Sequence, residues 1–582
     1  MNSKNDLVGG LDRGARAVID AVAYSSAVRD GGGARPIGAA ICAGVVRYLG
    51  YGDGGEDRET LAREIAADAR SLLALQNPDG TIDGSNIRTP PDTGFVMETV
   101  GAALVGLREI YGTQVPPGAL RDAVAAADEF MHRAAAALVT GGVHTPNHRW
   151  VVSSALAFAY RLYGRPEYRA RIEEWLSEGI DIDRDGQYSE HSAGIYSAVS
   201  SAALLNVALL LRRDELLEPV RRNLETTLLL AQPDGRIDTT ASRRQDQYDT
   251  TLRWFNYYVP FRVLAAVDGN PRFAAAARSL ERWNGDRGAP LADHAIAFFA
   301  FPAMRTPLPD GGASALPTDF AVVLAESGLY RERRGEAAIT VFGGHDRWPN
   351  GDVTPEASGR AGNPTFLTFC AGSASIRWVR VVPRFFNVGY LRPHMLSTDA
   401  GLCRLETVRE VGYFQPLPPD KRRTDGRYEL TTGDGRFWSA TDLPERELSN
   451  VQSLELSIEV RMTGRRCEVA FEGRSSTTVA LCVEIATAPD AAIEMEHWDV
   501  GTRRATVGAG ASAIEIALDA EHPDPWVPAE RDYGGMDRMR RAMEHEVHRR
   551  SLGTIHGSFL VPGAATLTLE GRSDAGETGD HR

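Results

Sequence analysis

The stretch L-L-A-L-Q-N-P-D-G-T-I-D, residues 72 to 83, closes an apolar helical run and turns the chain. A near copy, L-L-L-A-Q-P-D-G-R-I-D, stands at residues 228 to 238. A third Asp-Gly falls at Asp185-Gly186, so Gly80, Gly186 and Gly235 lie 106 and 49 residues apart. Those intervals are near multiples of ~50 residues, about one helical hairpin, and a hairpin repeated at a fixed period marks a stacked helical array. Pro-Asp-Gly is also a common turn. The shared Leu, Gln and Ile-Asp flanks favour the repeat, and with it a toroid of inner and outer helices.

Outward from these turns, residues 13 to 285 read as helix after helix. Apolar positions recur at three- and four-residue spacing in Ala15–Ala27, Leu61–Leu75, Val96–Ile110, Leu120–Leu138, Val151–Leu162, Ala193–Leu211, Leu216–Leu230 and Leu252–Val267. Gly112, Pro116-Pro117, Gly141-Gly142, Gly164 and Pro166 break them. After residue 315 the period changes to two. Strand-like runs include Ala338–Phe342, Ser375–Val382, Leu454–Arg461, Cys467–Phe471, Thr478–Ile485 and Ala565–Leu569. The expected class is therefore α+β and multidomain. An N-terminal (α/α) toroid, an incomplete barrel, spans 1–285, and a Pro- and Gly-rich linker spans 286–316. An antiparallel β-sandwich spans 317–571, with a helical insertion at 519–552. The polar residues 572–582 form a disordered tail.

A chain of 582 residues exceeds one compact core, which agrees with this division. The net charge of −14 argues against nucleic acid as a partner. No apolar run approaches the ~18 residues of a membrane span. The five cysteines are scattered and in no metal spacing, and no apolar leader core opens the chain; a cytoplasmic, reducing compartment is the expectation. All but Lys4 and Lys421 of the 64 basic residues are arginine. Arginine is the side chain suited to bidentate recognition of carboxylate or sulfate.

Chemistry-bearing residues gather beside expected helix starts. In Thr145-Pro146-Asn147-His148, Thr145 is the expected N-cap, which puts Asn147 and His148 in a first turn that favours an anion. Trp150 follows them. In Asp185-Gly186-Gln187-Tyr188-Ser189-Glu190-His191-Ser192, Ser192 is the expected cap, with Tyr196 one turn inside the next helix. Ser242-Arg243-Arg244-Gln245-Asp246 supplies two arginines for an acidic sugar. The helix expected after it carries Tyr248, Arg253, Trp254, Tyr257 and Tyr258, aromatics of the kind that stack on sugar rings. Arg88 follows the first Pro-Asp-Gly turn. His345 and His394 are the candidate histidines of the β region. Each has a plainer reading as a cap, a core aromatic or a solvated loop residue. His545-Glu546-Val547-His548 has the wrong spacing for a zinc protease helix, and no P-loop or nucleophile elbow is present.

A helical toroid followed by a β-sandwich, with Asn-His at one helix start and D-G-x-Y-x-E followed by Tyr about 40 residues on, resembles the heparinase II/III-like polysaccharide lyases and the related alginate lyases. The resemblance implies a carbon–oxygen lyase acting on uronate-containing polysaccharide or oligosaccharide by β-elimination. It implies that Asn147 and His148 neutralise the uronate carboxylate, that Tyr196 moves the proton and that His345 assists. Arg88, Trp150, Tyr188, Glu190, Arg243, Arg244 and Trp254 would contact substrate. The relatives tend to carry Gly-Pro after the Glu where this chain has His191-Ser192. Tyr188 therefore stays a rival to Tyr196, and His394 to His345. No cofactor is required; some relatives hold a structural metal in the sandwich, but no ligand cluster is visible in this sequence. The partner implied is an acidic glycan, with neither nucleic acid nor membrane. The alternative is an inverting glycoside hydrolase on the same toroid, using Asp92 and Glu190 as paired carboxylates.

Overall fold

The computed structural model describes residues 10–22, 33–50, 57–112, 114, 116–286, 290–309, 316–344, 362–399, 401–433, 438–489, 491–500, 503–548 and 553–573. It divides into two compact units. A helical unit comprises Met1–Ser189, Ile195–Leu228 and Trp254–Leu316, and a sheet unit comprises Glu190–Gly194, Leu229–Arg253 and Pro317–Arg582.

The helical unit is built from α1 (Arg13–Ala21), α2 (Ala34–Gly50), α3 (Arg58–Ala74), α4 (Pro90–Tyr111), α5 (Ala119–Thr140), α6 (Pro146–Tyr163), α7 (Pro166–Leu176), α8 (Tyr196–Leu211), α9 (Leu217–Leu230), α10 (Tyr258–Asp268) and α11 (Pro271–Asp286). Prolines open α4, α6 and α7, where their missing N–H is no loss. The even-numbered helices pack in succession, α2 on α4, α4 on α6, α6 on α8 and α8 on α10, while α3 packs on α5 and α5 on α7. That is an inner ring and an outer ring, the expected (α/α) toroid. Burial follows position. In α6 every residue from Trp150 to Ala159 is buried, as an inner helix demands. Outer α5 buries only a stripe through Leu120, Ala123, Ala127, Phe130, Ala134 and Leu138. The last helix, α11, packs on α1. Arg262 fastens the join, donating to Glu281 at 2.7 Å, Asp12 at 2.8 Å and the Met304 carbonyl at 2.9 Å. Short helical turns between Ala292 and Arg305 bury Phe298, Phe299, Phe301 and Met304.

The repeated turns are one structure used three times. In each, an N–H bonds the carbonyl four residues on: Asn77 to Thr81, Asp183 to Gln187, Gln232 to Arg236. Gly80, Gly186 and Gly235 all take positive φ, 91°, 80° and 78°. A Cβ on Gly80 would sit 2.1 Å from the Arg133 carbonyl oxygen of α5, and one on Gly186 2.6 Å from that of Arg222 in α9. Glycine is required at these two positions because the turns at Gly80 and Gly186 press on the backbone of a later outer helix.

Corrections to the helix boundaries have local causes. The run from Leu252 does not start a helix: 3-10 turns occupy 245–248 and 255–257, and α10 begins at Tyr258. Pro260 has no N–H to donate, so it belongs in a first turn. Tyr248, Arg253 and Trp254 therefore lie outside α10. Likewise α8 begins at Tyr196 itself, after Ile195, and not at a Ser192 cap.

The strands of the sheet unit are β1 (Asp319–Leu324), β2 (Leu329–Arg334), β3 (Ala337–Phe342), β4 (Leu367–Ala371), β5 (Ala374–Pro383), β6 (His394–Asp399), β7 (Leu402–Phe414), β8 (Thr431–Thr432), β9 (Trp438–Ser439), β10 (Leu448–Thr463), β11 (Arg466–Ser475), β12 (Val479–Thr487), β13 (Ala492–Trp498), β14 (Arg503–Ala509), β15 (Ser512–Ala520), β16 (Pro523–Asp524), β17 (Thr554–Val561) and β18 (Gly563–Ser573). Among the described residues they form two eight-stranded antiparallel sheets, in the orders β1-β2-β3-β4-β5-β12-β17-β16 and β13-β14-β15-β18-β11-β10-β7-β6, while β8 pairs with β9 alone. Residues of both sheets make one core, including Ile339, Phe369, Val381, Ile458, Phe471 and Leu567. This is the β-sandwich expected from the period-two runs. Strands β10 and β11 alternate buried and exposed, whereas β3 and β12 are buried throughout. The first sheet is thus covered on its second face, by α12 (Gly535–His548) and by residues 229–253. Arg380 makes two bonds to Glu544 of α12, at 3.0 and 2.7 Å. Thr340 donates to Asp238 at 2.6 Å, and Arg236 to Ser375 at 3.0 Å. Of the expected tail 572–582, Arg572 and Ser573 end the last strand, and 574–582 lie outside the described residues.

Candidate active site

Three inner helices run parallel and in step. Glu98 lies eight residues into α4, Ser154 eight into α6 and Asn206 ten into α8. Asn206 donates to Ser154 Oγ at 3.1 Å, and both bond the Glu98 carboxyl. The first turns of α4, α6 and α8 lie at one end of the helical unit: Phe95 meets His148, and the loop that leads into α8 returns to the start of α6, where Asp181 accepts from the Trp150 N–H and pairs with Arg149. Asn147, His148 and Tyr196 all sit in those turns.

Asn147 is buried, and its amide donates to Thr145 Oγ1 at 3.2 Å. The Thr145 hydroxyl thus orients Asn147 and makes no capping bond to the backbone, as a plain N-cap would. His148 is partly exposed. Its ring meets Phe95 edge-on with centroids 6.2 Å apart and His144 at 4.7 Å. The Arg35 guanidinium stacks over Phe95 at 4.2 Å and pairs with Asp92. This end of the helical unit thus carries an amide, imidazoles and a guanidinium, groups that accept a carboxylate.

The two tyrosines differ sharply. Tyr188 is 2% exposed, and its hydroxyl meets Ser201 Oγ at 3.3 Å. Ser201 donates in turn to Asn223. Burial pushes the Tyr188 phenol above its ordinary range. Tyr196 is partly exposed at the first position of α8. Trp150 and Trp254 offer no surface to a ligand. The Trp150 N–H is spent on Asp181 at 2.9 Å, and Trp254 packs edge-on against Phe261 and Trp283. Their size and inner position make them core. Arg88 is exposed, at φ 47°, with its N–H on Asp83.

In the sheet unit, Glu190 is buried and ion-paired with Arg244. Arg243 is half-buried, and its N–H donates to the Glu190 carbonyl at 3.0 Å. His191, at φ 48°, Arg243 and His394 line a cleft of about 480 Å³ with Ser242, Glu326 and Asn363. His345 lies outside the described residues. Asp246 accepts hydrogen bonds from Ser192 and Ser242 and from the Gly194 N–H. Desolvation pushes its carboxyl up to about 6. Asp92 and Glu190, the pair of the hydrolase reading, are each held by an arginine. Among the described residues no group of three or more His, Cys, Asp or Glu is placed to hold a metal ion. No helix among them is long and apolar enough to cross a membrane.

No family model matches this chain, and no curated protein matches it in sequence. The match is in structure. Heparinase III aligns over 91% of this chain and 75% of its own, at TM-score 0.52 and 10% identity. The fold is heparinase-like. A chondroitin AC lyase from Streptomyces coelicolor A3, solved with chondroitin sulphate, aligns over 91% of this chain and 82% of its own at TM-score 0.48 and 12% identity. A heparan sulfate lyase from Pedobacter heparinus aligns over 92% and 75% at TM-score 0.43 and 12% identity. At such identities the likeness is one of fold.

Within this heparinase-like fold, the residues that sequence reading missed are Arg35, Phe95, Glu98 and Asp246. Arg35 sits at a helix start like Asn147, and that position was a usable signal. For Asp246 the signal was partial, because Ser242 is a local donor but its donors Ser192 and Gly194 lie 54 and 52 residues away.

Proposed function

We propose that this chain is a polysaccharide lyase that cleaves uronate-containing glycans by β-elimination. What carries the reading is the grouping of Asn147, His148 and Tyr196 in first turns at one end of the helical unit. The proton at C5 of a uronic acid is weakly acidic because the adjacent carboxylate resists further negative charge. Asn147 and His148 neutralise that carboxylate, and the enolate-like intermediate becomes accessible. Tyr196 takes the C5 proton. The C4–O bond then breaks, Tyr196 returns that proton to the leaving oxygen, and a C4=C5 double bond remains. Tyr196 is favoured over Tyr188 because a sugar can reach a partly exposed phenol and cannot reach one that is 2% exposed. Arg243 and His394 bind anionic sugar in the cleft of the sheet unit. The pairing of Asp92 and Glu190 with arginines favours elimination over hydrolysis, since an inverting hydrolase needs one carboxyl free to give a proton and one free to activate water.

The test is incubation with heparan sulfate, chondroitin, hyaluronan, alginate and glucuronan, following near-ultraviolet absorbance from the new double bond. Wild-type protein raises the absorbance on at least one glycan, while Tyr196→Phe and His148→Ala do not. Reducing ends without absorbance would establish hydrolysis instead.

A further inference from the structure

Two loops of the sheet unit, 190–194 and 241–246, are bound to each other by an unusual set of ties. The Arg243 N–H donates to the Glu190 carbonyl at 3.0 Å, and Arg244 pairs with the Glu190 carboxylate. Beneath them Asp246 is 1% exposed. It accepts from Ser192 Oγ at 2.9 Å, from the Gly194 N–H at 3.1 Å and from Ser242 Oγ. Gly194 has no room for a side chain: a Cβ would lie 2.7 Å from Leu252, 3.0 Å from Thr239 and 3.1 Å from Asp246. Between the tied residues Ser192 and Glu190, His191 is held at φ 48°, a conformation that L-residues adopt rarely.

A buried carboxylate is costly unless donors surround it. Asp246 is acceptor-only when ionised, so it turns two hydroxyls and one N–H toward a single point. From these same loops His191, Ser242 and Arg243 line the cleft of about 480 Å³. We propose that Asp246 is a positioning residue that sets the two loops carrying His191 and Arg243 and thereby the recognition of an anionic sugar in this cleft. The proposal rests on the lyase reading for its substrate class. Asp246 itself touches no substrate.

The experiment compares wild type with Asp246→Asn, Ser192→Ala, Ser242→Ala and the double variant Ser192→Ala/Asp246→Asn. Steady-state constants are measured on whichever glycan wild type cleaves, and melting temperatures are measured in parallel. The expected result is a KM raised about tenfold in Asp246→Asn with kcat within about threefold of wild type. Each serine variant raises KM by less, and Ser192→Ala adds nothing in the Asp246→Asn background. A KM within twofold of wild type in Asp246→Asn and in both serine variants would overturn the proposal, as would additive effects in the double variant. If Asp246→Asn fails to fold, the two serine variants decide by the same KM criterion. If wild type cleaves nothing, the lyase reading fails separately. Calorimetric titration with heparan sulfate and chondroitin sulfate oligosaccharides then decides: about tenfold weaker binding by Asp246→Asn supports the proposal, and equal binding or none by wild type overturns it.

Discussion

The first-turn cluster of the helical unit and the cleft of the sheet unit place their polar groups by opposite means. Asn147, His148 and Tyr196 are positioned by where α6 and α8 begin. His191 and Arg243 sit on loops tied through Asp246, Glu190 and Arg244. Regular structure places the first set; contacts between residues far apart in the chain place the second. In the proposed function the chemical step belongs to the first region and recognition of the acidic sugar to the second, each on its own residues. The two assignments predict different kinetic signatures.

The largest effect should come from Tyr196→Phe. General acid–base groups contribute roughly 10²–10⁴-fold, so kcat should fall by that order with KM little changed. The partial exposure of Tyr196 predicts an unchanged melting temperature. Asn147→Ala removes one stabiliser of developing charge and should cost about 10²–10³ in kcat. Arg243→Ala should act on the other side of the comparison, raising KM about tenfold at near-normal kcat, the scale of one charge-assisted hydrogen bond. A kcat loss in Arg243→Ala matching that of Tyr196→Phe would break the comparison. Tyr188→Phe should leave kcat within a few-fold and lower stability by about 1 kcal/mol, because its hydroxyl joins only the Ser201–Asn223 chain.

The smallest effect on turnover should come from Glu98→Gln, read by melting temperature against pH. Desolvation pushes the Glu98 carboxyl from 4.5 up to about 8, opposed by Ser154, Asn206 and Arg35. The folded protein therefore holds a proton that the unfolded chain releases. The stabilisation is complete below pH 4.5 and is lost as pH rises through 8. Glu98→Gln should flatten that decline and melt higher than wild type at the alkaline end.

The helical half was legible because its period survives in the chain. The turns at Gly80, Gly186 and Gly235 recur because each must take positive φ, and two of them press on a helix backbone that tolerates no Cβ. The sandwich was legible where one face meets water, as in β10 and β11, whose alternation is written in the residues. In the first sheet, whose second face is also covered, the runs 338–342, 375–382 and 478–485 read as strands, but the burial of charged residues there was not legible. There β2 carries Arg331, β5 Arg380 and β12 Glu484, all buried. Such residues look solvent-facing until their partners are seen. Glu484 is held low by His556, Arg541, Tyr390 and Arg380, all remote in sequence. The chemical residues divide the same way. Asn147, His148 and Tyr196 stood beside helix starts, while Trp150 and Trp254 looked like sugar platforms until burial in the ring made them core. Asp246 could not be placed from its neighbours alone, since of its donors Ser242 is local and Ser192 and Gly194 are remote.

The central claim is elimination, and its most direct measurement is the mass of the products formed in water labelled with heavy oxygen. Hydrolysis adds one oxygen from solvent at every cut; elimination adds none and leaves a product one water lighter. Wild type should give unsaturated oligosaccharides without solvent oxygen, and Tyr196→Phe almost none. Saturated products carrying one heavy oxygen per cleavage would contradict elimination.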